Sequence, residues 1–405
     1  MIRRLTLRSV SFSVSSAILG SAFAVSLVAC GDAPPPEAKA PTAPAPVTAP
    51  VVAETPKPAE PTAEEKKKAE EEKKKAEAKK KLEEDFAKME VEHKAEVARW
   101  TPEMHTAAKA LADKAYGSTK DALKAATAAK TRKPGNADRD KSRHPVETLE
   151  FFGLKPNMTV IEYGPGEGWY TELLAPTLAK KGKLVATNGD ADGPKDERGT
   201  YYATRFKLFL ETSPELYGKV ETVKVDGKAP VLPMEGKADM IVVARGLHGM
   251  VNAGKLDAWL GEMHKALKNG GIVGVEQHRA KDDANVEKAS KDGYLPEKFV
   301  IEKFEGAGFK LAGKSEINAN PKDTKDYPEG VWTLPPTLAL GDKDKAKYMD
   351  IGESDRMTLK FVKVAAKAAK DDAKAAPKAD AKPAPKADAK AAPKADAKPA
   401  AKPAK

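Results

Sequence analysis

The chain has 405 residues, a formal charge of +10 from 70 Lys and Arg against 60 Asp and Glu, and a single cysteine. One cysteine excludes an intramolecular disulfide framework, a cysteine-rich zinc site and a redox pair. Apolar and aromatic residues concentrate between about 132 and 365, enough for one good core, and no run has the length and apolarity of a multi-pass membrane protein.

The N-terminus reads as an address. Arg3, Arg4 and Arg8 precede an uncharged stretch, Ser9 to Ala29, rich in Ala, Val, Leu and Ser, which is the layout of a signal peptide over residues 1–29. It ends Leu27-Val28-Ala29-Cys30-Gly31, which resembles the bacterial lipobox. That resemblance implies cleavage before Cys30, lipidation of Cys30 and a membrane-anchored lipoprotein of the cell envelope on the periplasmic side, with inner or outer membrane left open. The alternative is an uncleaved anchor, and the seven Ser residues in the stretch weigh against it. Each buried acyl CH₂ contributes about 0.8 kcal/mol, so several chains anchor stably.

Residues 30–62 form a Pro/Ala-rich linker, an extended spacer. Residues 63–131 read as a charged and then Ala-rich helical region. From Glu64 to Arg99 twelve acids face twelve bases in blocks that allow i,i+4 pairs. A coiled coil needs an apolar seam, and none is present before Leu82, so a solvated single helix or a partner-binding helix fits better. Met104 to Lys130 carries Leu111, Ala115, Tyr116 and Leu123 at helical spacing and suits a helix packed in front of a domain.

Residues 132–365 alternate strand and helix. Strands are expected at Thr159–Tyr163, Lys183–Thr187, Val220–Val225, Asp239–Ala244, Ile272–Glu276, Phe309–Ile317 and Met357–Val364. Helices are expected around Tyr170–Lys180, Tyr201–Leu210, Leu256–Leu267 (closed by Asn269-Gly270-Gly271) and Pro296–Ala307. This alternation implies an α/β fold, a mainly parallel sheet with helices on both faces. Neither flank carries enough apolar surface to be needed for that fold.

The tail, residues 366–405, repeats PKADAK at Pro377, Pro385 and Pro393, and from Ala365 onward it holds eleven Lys and five Asp. It reads as a disordered polycation suited to an anionic envelope polymer such as cell wall, anionic lipid or polysaccharide. Nucleic acid is disfavoured as its partner by the export signal and by the absence of arginine and aromatic residues for stacking.

The ligand class turns on Glu162-Tyr163-Gly164-Pro165-Gly166-Glu167-Gly168-Trp169. An acid ends a strand, glycines allow positive φ and close approach of a ligand, and a helix opens behind them. The dinucleotide fingerprint would need glycine where Trp169 stands, and a P-loop would need Gly-Lys-Ser/Thr. The E-x-G-x-G-x-G string resembles motif I of class I S-adenosylmethionine-dependent methyltransferases. The longer string RDKSRHPVETLEFFGLKPNMTVIEYGPGEGWYTELLAP, with EQHRA, FEGAGFKLAGKS and SDRMTLKFVK, is similar to a narrower group of bacterial methyltransferase-like proteins, many of them exported. The resemblance spans about Asn136 to Val364 and implies a Rossmann-like methyltransferase fold with S-adenosyl-L-methionine as cofactor. It implies nothing about the acceptor.

Residue by residue, the resemblance implies that Gly164, Gly166 and Gly168 pass the amino-acid part of the ligand. Glu162 orients that loop or meets the ligand's ammonium. Asp190 binds the ribose hydroxyls, and Asp226 contacts adenine. Each acid also fits a helix cap or a solvated turn.

Methyl transfer needs alignment, dryness and, for a protonated acceptor, a base. His248 after the fourth strand, His278 after the fifth and His144 before the first helix of the fold are the candidates, with Trp169 and Tyr170 as pocket walls or core. The six histidines show no metal-ligand spacing, so no metal is expected. Export separates the protein from cytoplasmic S-adenosylmethionine. Three readings follow: an exported methyltransferase with an unknown acceptor, a binding protein of methyltransferase fold without turnover, and a structural envelope lipoprotein. The intact glycine loop favours the first two.

Overall fold

The structure is a computed structural model describing residues 62–365. Cys30, the signal stretch and the linker to residue 61, and the tail from residue 366, lie outside the described residues.

The elements run α1 (Ala63–Arg99), α2 (Pro102–Asp113), α3 (Thr119–Thr127), α4 (Asp140–Arg143), α5 (Pro145–Phe152), β1 (Thr159–Tyr163), α6 (Thr171–Leu178), β2 (Lys183–Asn188), α7 (Arg198–Glu211), α8 (Pro214–Tyr217) and β3 (Glu221–Lys224). They continue with β4 (Ala238–Ala244), α9 (Leu247–Asn252), α10 (Leu256–Ala266), β5 (Leu267–His278), α11 (Val286–Lys291), α12 (Glu297–Gly306), β6 (Phe309–Ser315), α13 (Lys345–Ile351) and β7 (Arg356–Lys363). Every expected strand is present. The expected stop at Asn269-Gly270-Gly271 shifts, because α10 ends at Ala266 and β5 already pairs with β4 at Leu267.

The seven strands form one sheet in the order β3-β2-β1-β4-β5-β7-β6. β1 to β5 are parallel, and β7 runs antiparallel between β5 and β6. This is the mainly parallel Rossmann-like arrangement expected. The order reverses between β1 and β4, so the crevice at their carboxyl ends is the switch point where such sheets bind ligands.

Period-two alternation sorts the central strands onto two cores. Ile161, Ile241, Val243, Val273 and Val275 point to one face and pack with Trp259, Leu260, Met263 and Phe304. Val160, Met240 and Val242 point to the other and pack with Leu149, Phe152, Leu173 and Leu174. Glu162, Glu276, His278 and Arg356 fall on the second face by the same alternation. Four polar groups therefore share one face of the sheet toward its carboxyl rim.

That second core starts upstream of residue 132, the expected beginning of the domain. α2 and α3 contribute Ala108, Ala112, Leu123 and Ala126, and Trp100 joins them. Small alanine faces let these helices approach closely, so few large side chains suffice to make them part of the core. α1 behaves differently along its length. A Thr62/Glu65 capping box starts it, and its surface is exposed up to Leu82. Leu82, Phe86 and Met89, at i, i+4 and i+7, then pack on Tyr201 and Leu208 of α7.

A protein beginning at residue 132 is therefore expected to lose cooperative thermal melting, while one beginning at residue 100 keeps it. Leu123→Ala, which opens a cavity at a fully buried position, should cost about 2–5 kcal/mol in chemical denaturation. Unchanged melting in both tests would place α3 outside the core.

Candidate functional site

β1 ends at the switch point, and the chain turns through Gly164 to Gly168 into α6. Gly164, Gly166 and Gly168 have φ of 55°, 60° and 82°. There an added Cβ costs roughly 1–2 kcal/mol. Their surroundings differ. A Cβ on Gly164 or Gly166 would meet no heavy atom within 4 Å, whereas one on Gly168 would lie 2.4 Å from the Phe209 ring. The first two glycines border open space, and the third seats the loop on α7.

Glu162 lies 3% exposed on the α6 side of β1, and its Oε2 accepts a 2.7 Å hydrogen bond from Thr171 Oγ1. Burial raises its pKa to about 7 against the opposing bonds from Thr171. It ties the strand to the first residue of the helix and so fixes both ends of the glycine loop. Glu167 at the loop tip pairs with Lys133 at 3.1 Å and Arg205 at 3.0 Å, and Arg205 also reaches Glu92 of α1 at 3.0 Å.

The two remaining cofactor candidates sit at the ends of β2 and β3. Asp190 pairs with Lys224 at 2.5 Å, and Asp226 accepts the backbone N–H of Lys228 in a tight turn. Asp190 and Lys224 line a cavity of about 550 Å³ between α7 and the β3 edge, floored by Phe206, Leu210 and Tyr217. Asn188, two residues earlier and the last of β2, also lines it, and its Nδ2 is buried with no hydrogen-bond partner. Sequence reasoning passed over Asn188 because it looked for an acid there.

The three histidines are distributed unequally. His248 and His278 come together, with ring centroids 6.0 Å apart. His144 does not join them. It takes a left-handed conformation, φ 39°, between α4 and α5, and its Nδ1 lies 3.3 Å from Asn318 Oδ1. It turns the chain so that the adjacent Arg143 enters the interior.

Gln277 fixes the proton of His248. Its Oε1 accepts the Leu247 N–H and its Nε2 donates to Gly293 O. The remaining Nε2 hydrogen therefore meets His248 Nδ1 at 3.3 Å, which puts the proton of the neutral ring on Nε2. His248 offers the site a donor, whereas His278, with Nδ1 2.5 Å from Ser354 Oγ, keeps Nε2 for the site. Burial lowers the pKa of both, and Arg245 adds to this, so both rings are neutral at pH 7.

Beneath them lies a buried ionic cluster that sequence reasoning missed. Glu276, 1% exposed, accepts from Tyr170 Oη at 2.7 Å and from Arg245 Nη1 at 3.1 and 3.2 Å, and pairs with Arg356 at 3.1 Å. Burial pushes its pKa up, but Arg245, Arg356 and Arg143 outweigh this and hold it at about 2. Glu353 in turn binds Arg143 at 2.9 Å and Arg356 at 2.5 Å. Arg143 stacks 4.9 Å from the Trp169 ring centroid, next to the glycine loop. Glu276 and Arg356 stand in the EQHRA and SDRMTLKFVK strings, but only the three-dimensional register shows that they meet.

No protein family and no curated protein matches the chain. Solved structures align with part of the chain at low identity. A SAM-dependent methyltransferase from Aquifex aeolicus aligns at 18% identity over 56% of this chain and 93% of its own, with a TM-score of 0.38. The [4+2]-cyclase SpnF aligns at 15% over 55% and 80%, with a TM-score of 0.41. A Burkholderia thailandensis 1,6-didemethyltoxoflavin-N1-methyltransferase, with bound S-adenosylhomocysteine, aligns at 12% over 56% and 78%, with a TM-score of 0.35.

Two expectations follow. Gly168→Ala should destabilise more than Gly166→Ala, because only the former adds a clash with Phe209 to the backbone cost; equal melting temperatures would contradict this. Glu162 has a higher pKa in the fold than in the unfolded chain. Its contribution is complete below about pH 4.5 and is lost as pH rises through about 7. Glu162→Gln should remove up to about 3 kcal/mol of that pH dependence, read from denaturation curves across the window.

Proposed function

We propose that the protein is an S-adenosylmethionine-dependent methyltransferase anchored through Cys30 to a membrane of the cell envelope. The observation that carries the reading is the glycine loop at the switch point, where Gly164 and Gly166 hold positive φ and face open space. The orphaned Asn188 Nδ2 at the end of β2 fits the same ligand, since a ribose hydroxyl would give it an acceptor. S-adenosylmethionine supplies, when bound, a methyl group on a positively charged sulfur.

This chain's residues align and desolvate. Glu162 holds the loop against α6, so the backbone at Gly164 and Gly166 stays open to the ligand. Asn188 and Asp190 serve the ribose, Asp190 after release from Lys224. Asp226 remains the adenine candidate. With its Nδ1–H donated to Ser354 Oγ, His278 presents a bare Nε2 to the proton that a protonated acceptor gives up, acting as a weak base because burial and the nearby arginines hold its pKa down. His248 donates from Nε2 and orients the acceptor.

The test is transfer of tritiated methyl from S-adenosylmethionine to envelope extract. Wild type should label an acceptor. Gly166→Val should not, because its side chain fills the loop's open side. His278→Ala should lose at least about tenfold in turnover while still binding S-adenosylhomocysteine. Labelling by Gly166→Val at the wild-type rate would reject the loop as the cofactor site. Labelled palmitate should enter wild type and not Cys30→Ser; equal incorporation would remove the anchor from the reading.

A further inference from the structure

The ionic cluster at the carboxyl rim does not balance. Arg143, Arg245 and Arg356 face Glu276 and Glu353. Tyr170, His248 and His278, the other titratable groups around it, are neutral at pH 7. One positive charge is left over. In the neighbouring network the acids are not outnumbered, since Arg279, Lys314 and Lys325 face Glu297, Glu316, Asp355 and Asp323. Charge taken from water without a partner is unfavourable.

The surplus falls on Arg245. Its Nη1 serves both oxygens of Glu276, and its Nε and Nη2 have no hydrogen-bond partner among the described residues. The side chain is 22% exposed, and neither atom is among the fully buried unpartnered ones, so that edge reaches the surface. A left-handed backbone, φ 56°, sets it there, which is uncommon for a residue other than glycine. Rings wall the rim beside it: Trp332 is 5.9 Å from His248, and Tyr294 is 6.1 Å from His278.

We propose that the methyl acceptor bears a carboxylate and that the free edge of Arg245 holds it beside this ring-lined rim, an assignment that rests on the methyl-transfer reading. An Nε–H and an Nη2–H form a planar fork that matches a carboxylate with two parallel bonds. A surplus of one charge suits a monoanion better than a phosphate dianion. The carboxylate is an anchor, and a second group of the acceptor receives the methyl near His278. The same chemistry could come from the cofactor's own carboxylate, and the test separates the two.

Calorimetry on the full chain uses sodium benzoate and benzamide as probes, each with and without saturating S-adenosylhomocysteine. Wild type should bind benzoate about tenfold or more tighter than benzamide. Arg245→Gln should weaken benzoate by about tenfold and S-adenosylhomocysteine by less than about threefold. Arg245→Lys, which keeps the charge against Glu276, should fold as wild type and still weaken benzoate by about threefold through loss of the fork; it carries the test if the Gln variant unfolds. Benzoate no tighter than benzamide, or unaffected by both substitutions, overturns the proposal. So does a tenfold loss of S-adenosylhomocysteine with benzoate unchanged, which gives the edge to the cofactor. Benzoate binding without any S-adenosylhomocysteine binding would support the anion site and reject the cofactor reading.

Discussion

A carboxylate sealed from water has to be paired, and the site is arranged around the pairing of Glu276. Its two oxygens engage Tyr170 from the end of the glycine loop, Arg245 from the turn after β4 and Arg356 from β7. Three segments far apart in sequence are thereby fixed at the carboxyl rim. Removing the carboxylate would leave buried arginines facing one another, a loss usually worth about 3–5 kcal/mol. Burial lowers the pKa of His278, and the same arginines add to that effect. The cluster thus sets pairing and geometry at the rim and contributes to its protonation state.

The glycine loop is held independently of that cluster. Glu162 grips α6 from the sheet side, and Glu167 is gripped from outside by Lys133 and Arg205. Arg205 extends the contact to Glu92 of α1, so the charged helix ahead of the fold takes part in positioning the loop. The front of Gly164 and Gly166 is left open between these two holds.

The architecture was legible because it rests on local signals. Apolar runs such as Thr159–Tyr163 and Ala238–Ala244, separated by helical periodicity, gave strand positions close to those observed. The glycine loop was legible for the same reason, being one continuous string. The rim was not. Glu276, Arg245, Arg356 and Arg143 are up to about two hundred residues apart, and their meeting depends on which strand lies beside which and on the alternation of side chains across the sheet. The order of the histidines also changed. His248 stood out by its place after a strand, but the amide of Gln277 fixes its Nε2 as a donor, which is why the proposed base is His278 instead. Met104–Lys130 was expected to pack in front of the domain, but its share in the core escaped because alanine faces carry little hydropathy signal.

If the open loop at the switch point is a cofactor site, calorimetric titration of the purified protein with S-adenosylhomocysteine and S-adenosylmethionine should show saturable one-to-one binding of both, lost in Gly166→Val while the protein stays folded. Absence of binding of either ligand at millimolar concentration would contradict it and leave the fold without the function.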